Sequence, residues 1–172
     1  LFTWPGECWQ LIGQNYDFVY IDGNEILKTN SNSLVTSTTM IENEPEAVQA
    51  FVTAMRQAVY AVHYNPEAAA ALMADKFPNI DVTWKAALYI QEGRNYQMFG
   101  EPGSETEAQI MANIGENLAE GWELNVQAAL DCDMIDEAIP LEDIYTNEFI
   151  TDDIDYTHVE EFMDSIDVAT TA

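Results

Sequence analysis

Positive charge is the scarcest property of this chain. Its 172 residues hold only 5 Lys and Arg, against 31 Asp and Glu, for a formal net charge of -26 at pH 7. A phosphate backbone or an anionic lipid surface is gripped through a Lys and Arg footprint, so nucleic acid and anionic membrane are poor partners. Long apolar runs are missing too. Nothing approaches the roughly 20 apolar residues of a membrane helix, so direct membrane insertion is not expected. The N-terminus shows neither a basic region nor an apolar signal core, and it opens without an initiator Met at Leu1-Phe2-Thr3-Trp4, as if cut from a longer precursor. Cysteine is limited to Cys8 and Cys132. A structural zinc site wants four ligands in close pairs, and a disulfide forms only outside the cytosol, so two buried free thiols are the expectation.

Apolar residues are plentiful, at 48% of the chain, which separates it from a disordered acidic tail. At about 100 to 200 residues per domain, the length is one domain's worth. The charge is unevenly spread. Lys28, Arg56, Lys76, Lys85 and Arg94 all lie in the first hundred positions, so residues 101–172 carry 20 acids and no Lys or Arg. That segment folds against its own repulsion. Salt shortens the interaction to roughly 8 Å at about 0.15 M and roughly 3 Å at about 1 M, so the composition suits a saline setting and an ordinary acidic secreted protein alike.

Along the chain, Tyr16 to Ile21 (YDFVYI) is aromatic and β-branched between Asn15 and Asp22-Gly23-Asn24, and reads as a buried strand. Ser33 to Thr39 (SLVTSTT) reads as a second. From Pro45 the period becomes helical, with Val48, Phe51, Val52, Met55, Val59 and Val62 forming one apolar stripe through about residue 63. Asn65-Pro66 starts another helix that stops near Phe77-Pro78. Asp81 can cap a third over residues 82–96, and the Gly100–Gly103 cluster breaks the chain. Ser104-Glu105-Thr106-Glu107 is a capping box, followed by a stripe of Ile110, Met111, Ile114 and Leu118. A short helix near residues 126–130 and an amphipathic piece around 159–166 complete an α/β reading. Two strands with five or six helices make an incomplete α/β unit.

Signals for catalysis are absent. His63 and His158 stand alone, with no H-E-x-x-H cluster. Asp131, Asp133 and Asp136 lack the glycine and glutamate of a calcium loop, and Asp152, Asp153 and Asp155 read as a solvated acidic face. No nucleophile elbow or phosphate loop occurs, so no enzyme activity, cofactor or metal is expected. The opening Trp4-Pro5-Gly6-Glu7-Cys8-Trp9-Gln10 is the candidate site: a Pro-Gly bend before a strand, where Trp4 and Trp9 could stack on a flat ring and Glu7 could accept its N–H groups. Core packing of Trp9 is the competing reading.

The Trp-Pro-Gly-Glu bend, YDFVYI, SLVTSTT, Asn43-Glu44-Pro45-Glu46-Ala47-Val48-Gln49-Ala50-Phe51, the Asn65-Pro66-Glu67-Ala68 helix start and Ile144-Tyr145-Thr146-Asn147-Glu148-Phe149 together resemble one group of ABC transporter solute-binding proteins. That is the nitrate/sulfonate/taurine and thiamine-pyrimidine-precursor group, and the resemblance spans about residues 4–150. It implies a periplasmic binding protein type II-like fold, of which this chain is the helix-rich C-terminal portion of a two-lobed protein. Residues 1–32 would end the second lobe, 33–39 would be a hinge strand, 40–150 would return to the first lobe and 151–172 would be an acidic C-terminal segment. The implied role is a solute-binding component of an ABC importer, periplasmic or extracytoplasmic, partnered by a membrane permease and capturing a small heteroaromatic metabolite such as a thiamine pyrimidine precursor. A sulfonate- or nitrate-type anion, or a ligand-sensing module with the same fold, are the alternatives. The anion is disfavoured because Arg56 and Arg94 both read as helix-surface residues. Eukaryotic enzymes of the same group carry a cysteine-rich motif that is not found in this sequence.

Overall fold

A computed structural model describes residues 5–17, 19, 21, 23, 26, 29–30, 32–77, 79 and 83–168. Its elements are α1 (Pro5–Gly13), α2 (Thr38–Asn43), α3 (Pro45–Tyr64), α4 (Pro66–Lys76), α5 (Trp84–Phe99), α6 (Glu105–Ala112), α7 (Ala119–Asp131), a 3-10 turn over Leu141–Asp143, and α8 (Thr157–Asp164). No strand occurs among the described residues, so the α/β expectation gives way there to an all-helical structure.

Both predicted strands illustrate why. The segment YDFVYI follows α1, which closes in a Schellman turn: Asn15 takes φ 62°, its N–H donates to Ile12 O at 2.9 Å, and Tyr16 N–H donates to Leu11 O at 3.1 Å. Tyr16, Asp17, Val19 and Ile21 are exposed and carry no regular structure, while Phe18 and Tyr20 lie outside the described residues. At SLVTSTT the polar residues cap a helix instead. Ser37, at φ -84° and ψ 151°, accepts from Met40 N–H at 3.1 Å and starts α2, while residues 33–37 have no regular structure. A strand pattern specifies a strand only where a neighbour completes the ladder.

The helices follow their caps. Asn65 Oδ1 accepts from Ala68 N–H at 3.0 Å to open α4, and Thr83 Oγ1 accepts from Ala86 N–H at 3.2 Å to open α5. Thr83 takes the capping role predicted for Asp81, which lies outside the described residues. Gly100 ends α5 at φ 74°. Ser104 Oγ accepts from Glu107 N–H at 3.1 Å, and the Glu107 carboxylate reaches past Ser104 to the Gly103 N–H. The α6 stripe is shorter than expected. The helix stops at Ala112, Ile114 is buried, and Leu118 is 59% exposed.

Two compact units result, one of Leu1–Val19, Thr53–Ile114 and Asp153–Ala172, the other of Tyr20–Val52 and Gly115–Asp152. In the first, α5 packs against α1, α4 and α6, and α4 also meets α8. Its core is built from small residues: Ala68, Ala70, Ala71 and Ala87 are buried beside Phe99, Ile114, Val159 and Met163. Arg56 is 5% exposed, which corrects its reading as a helix-surface residue. It sits on the face of α3 opposite the exposed Phe51 and Met55, so only part of the predicted apolar stripe is turned inward. His63 lies against the Phe99 ring at 4.2 Å, and its Nε2 is 3.0 Å from Glu107 Oε1. Tyr60 stacks on Tyr156 at 4.1 Å and donates to Glu160 Oε1 at 2.5 Å, while Tyr64 donates to Asp164 Oδ2 at 3.2 Å. These two rungs tie the end of α3 to α8. Thr157 N–H donates to Asp155 Oδ1 at 2.9 Å, and this bond chiefly holds the Asp155 carboxyl below its usual range.

Candidate functional site

The opening segment forms a helix where a bend was expected. Pro5 occupies the first helical position, a place that tolerates its missing N–H, and the chain continues to Gly13. Glu7 is exposed in the first turn. Trp9 is half-buried, its ring 5.8 Å from Tyr96 and tilted by 51°, and a Cβ placed on Gly93 would collide with the indole. Residues two apart on a helix do not share a face, so α1 does not bring Glu7 and Trp9 together. Trp4 lies outside the described residues. Both thiols are free; Cys8 is half-buried, whereas Cys132 is exposed rather than buried as expected.

A second region, in the unit of Tyr20–Val52 and Gly115–Asp152, joins the Pro-Glu-Ala-Val-Gln helix start to the Tyr-Thr-Asn-Glu-Phe segment. Gln49 Nε2 donates to the Phe149 carbonyl at 3.0 Å. Asn147 is bonded in both directions: its Oδ1 accepts from Asn117 N–H at 2.8 Å, and its Nδ2 donates to Asn117 O at 2.9 Å. Asn117 Oδ1 accepts in turn from Trp122 Nε1 at 3.1 Å, and the Trp122 ring lies parallel to Tyr145 within 13°, at a centroid distance of 5.9 Å. Thr146 Oγ1 accepts from Glu148 N–H at 3.1 Å, a local turn between the anchors. Residues 145–149 therefore act as a strap. It holds the first turns of α3, Asn117 just ahead of α7, and the first turns of α7. Asn30 completes this unit: its carbonyl accepts from Asn125 Nδ2 at 3.2 Å, and its side chain fills the space that a Cβ on Gly121 would occupy.

Between the strap and α3 lies an open depression of about 570 Å³, lined by Pro45, Glu46, Gln49, Ala50, Glu148 and Phe149. Its size falls in the range of small-molecule sites, roughly 300 to 1,000 Å³. Every strap residue is engaged through its side chain or backbone in holding the unit together, Glu148 through its N–H to Thr146 Oγ1. The Glu148 carboxylate itself is exposed. Neither it nor Glu46 has an ion-pair or side-chain hydrogen-bond partner among the described residues. Two free carboxylates beside an aromatic ring and apolar side chains can accept N–H groups of a flat ligand. No set of three His, Cys, Asp or Glu able to hold a metal ion occurs among the described residues. Both glutamates lie within the family-like segments Asn43–Phe51 and Ile144–Phe149, where the sequence alone gives them no role. Their signal was negative: acids within motif segments that cap nothing.

Residues 3–69, under half of the chain, match the family model described as NMT1/THI5 like. The match includes α3 up to Tyr64 and thus the Pro45–Ala50 wall of the depression, but stops short of the strap. At the coarse level it supports a small-molecule-binding role of the solute-binding kind. No curated protein and no solved structure matches the chain. No helix among the described residues is long and apolar enough to cross a membrane.

Proposed function

We propose that this chain belongs to a solute-binding component of an ABC importer, acting outside the cytoplasm and delivering a small heteroaromatic metabolite, such as a pyrimidine precursor of thiamine, to a membrane permease. The observation that carries the reading is the junction at Gln49 and Phe149, where a segment inside the family match and the strap form the walls of one depression. The role is capture and release, with no bond made or broken in the solute. The anion alternative is disfavoured by chemistry: two carboxylates line the depression, and an anion would meet them unshielded.

Mass spectrometry of small molecules that co-purify with the protein identifies the solute, and calorimetry with that solute measures its affinity. The paired variants Glu7→Gln and Glu148→Gln then locate it. Loss of at least tenfold in affinity only with Glu148→Gln places the solute against the strap. Loss only with Glu7→Gln returns it to the opening helix, and absence of any bound small molecule refutes the solute-binding role.

A further inference from the structure

We propose that residues 153–168, with α8 at their centre, form a latch on α4 and the end of α3, and that ionic strength decides whether the latch is docked. The inference lies within the first compact unit and stands apart from the solute-binding reading. The apolar grip of the latch is narrow. Val159 and Met163 are the buried residues of α8; they meet Ala68 of α4 and the partly buried Tyr60, Ala61, Ala69 and Leu72, while Phe162 is 55% exposed. The polar grip brings carboxylates to phenols rather than to cations. Glu160 is bonded by Tyr60 and Asp164 by Tyr64, and neither carboxylate is paired with a Lys or Arg among the described residues. Residues 153–168 carry six acids and no Lys or Arg, and α4 adds Glu67 in its first turn. Docking therefore gathers like charge. Packed helices lie roughly 8 to 10 Å apart, well inside the screening length of about 30 Å at about 0.01 M salt but close to the length of about 8 Å at about 0.15 M. Repulsion across the contact is thus strong in dilute salt and largely screened above it. The latch is also separable from the unit it closes. Residues 150–156 form neither helix nor strand, and α5 packs against α1, α4 and α6 without involving α8. Undocking uncovers Tyr60, Ala61, Ala69 and Leu72 and leaves the other helices of the unit in contact, the behaviour of a segment that opens locally before the whole unfolds.

The test is amide hydrogen exchange of the full chain at constant pH, in about 0.01 M, 0.15 M and 1 M sodium chloride. Amides of α8 are expected to exchange at least tenfold faster in the most dilute salt than in the most concentrated, while those of α4 and α5 change less than threefold. A paired variant, Asp153→Lys with Glu161→Lys, acts on two exposed residues of the latch that make none of its phenol bonds. Every repulsive pair across the contact contains one latch charge, so this variant is expected to protect α8 in dilute salt as well as concentrated salt protects the wild type. Asp136→Lys with Glu137→Lys makes the same change of net charge on exposed residues of the other unit, and is expected to restore much less protection. Three results would each overturn the proposal: α8 exchange that is indifferent to salt, α4 and α5 losing protection together with α8, or the two paired variants protecting α8 equally. The second would reduce the effect to global unfolding and the third to net charge alone.

Discussion

The Gln49 side-chain amide donates to the Phe149 carbonyl at 3.0 Å, across 100 positions of sequence. This bond joins the first turns of α3 to the strap and fixes one edge of the candidate site. Replacing Gln49 with Met keeps the length and removes the donor. The expected loss of stability is about 0.5 to 1.5 kcal/mol, the usual net worth of such a bond, and amide hydrogen exchange should rise at residues 145–149. Unchanged exchange there would mean that the strap is held without Gln49.

Asn147 is the centre of the strap, bonded to both the N–H and the carbonyl of Asn117. Asn147→Asp retains the acceptor and loses the donor, whereas Asn147→Ala loses both. Unfolding by denaturant should therefore rank wild type above Asn147→Asp and Asn147→Asp above Asn147→Ala. The full truncation should cost about 1 to 3 kcal/mol for polar groups left unmatched. Equal stability of all three would reduce the pair to a surface contact.

Gly93 offers a test in which the sign decides. In an open helix position Gly→Ala stabilises by about 0.5 to 1 kcal/mol through propensity. Here the added Cβ would enter the Trp9 ring, so Gly93→Ala should destabilise by about 1 to 3 kcal/mol, as overpacked sites do. Pairing it with Trp9→Leu should recover part of the loss. A stabilised Gly93→Ala would show that Trp9 is not seated on α5.

What the sequence disclosed follows from the range over which each signal acts. The starts of α3, α4 and α6 were legible because Pro45, Asn65-Pro66 and Ser104 act through atoms within one turn. Neither strand forms among the described residues, because YDFVYI and SLVTSTT carry the composition of strands, while a ladder needs a partner that no local pattern supplies. Trp4, Glu7 and Trp9 were grouped as a bend. Helical backbone turns Glu7 and Trp9 to different faces, and Gly93, 84 positions later, receives the indole. Arg56 was placed at the surface because charge usually is, yet its place on α3 buries it. Glu46 and Glu148 line one depression only through tertiary structure, which a sequence pattern does not reveal.

The charge distribution predicts a response to salt. With a net charge of -26 and no Lys or Arg after Arg94, self-repulsion opposes folding, and added ions screen it. The melting temperature should rise as sodium chloride goes from about 0.05 M to about 1 M, with sodium sulfate at matched ionic strength showing at least as large a rise. A flat or falling melting temperature would mean that repulsion is not a controlling term.

The rungs between α3 and α8 predict an alkaline transition. The hydrogen bond to Glu160 and burial push the Tyr60 phenol from its ordinary 10.0 up to about 12, and Tyr64 is raised as well, by desolvation and by its bond to Asp164. A phenol whose folded pKa is raised favours the folded state while it stays protonated. Its contribution is complete below the unfolded value of about 10, where both states hold the proton, and is lost as pH climbs toward about 12, because the unfolded chain ionises first. Stability should therefore fall across that window, and tyrosinate absorbance should show Tyr60 ionising late. Tyr60→Phe removes the ionisable group and should flatten the decline, at the expense of the bond to Glu160 at neutral pH. If the variant loses stability over the same window as steeply as the wild type, then the decline arises elsewhere, and the α3–α8 rungs are not what sets the alkaline limit.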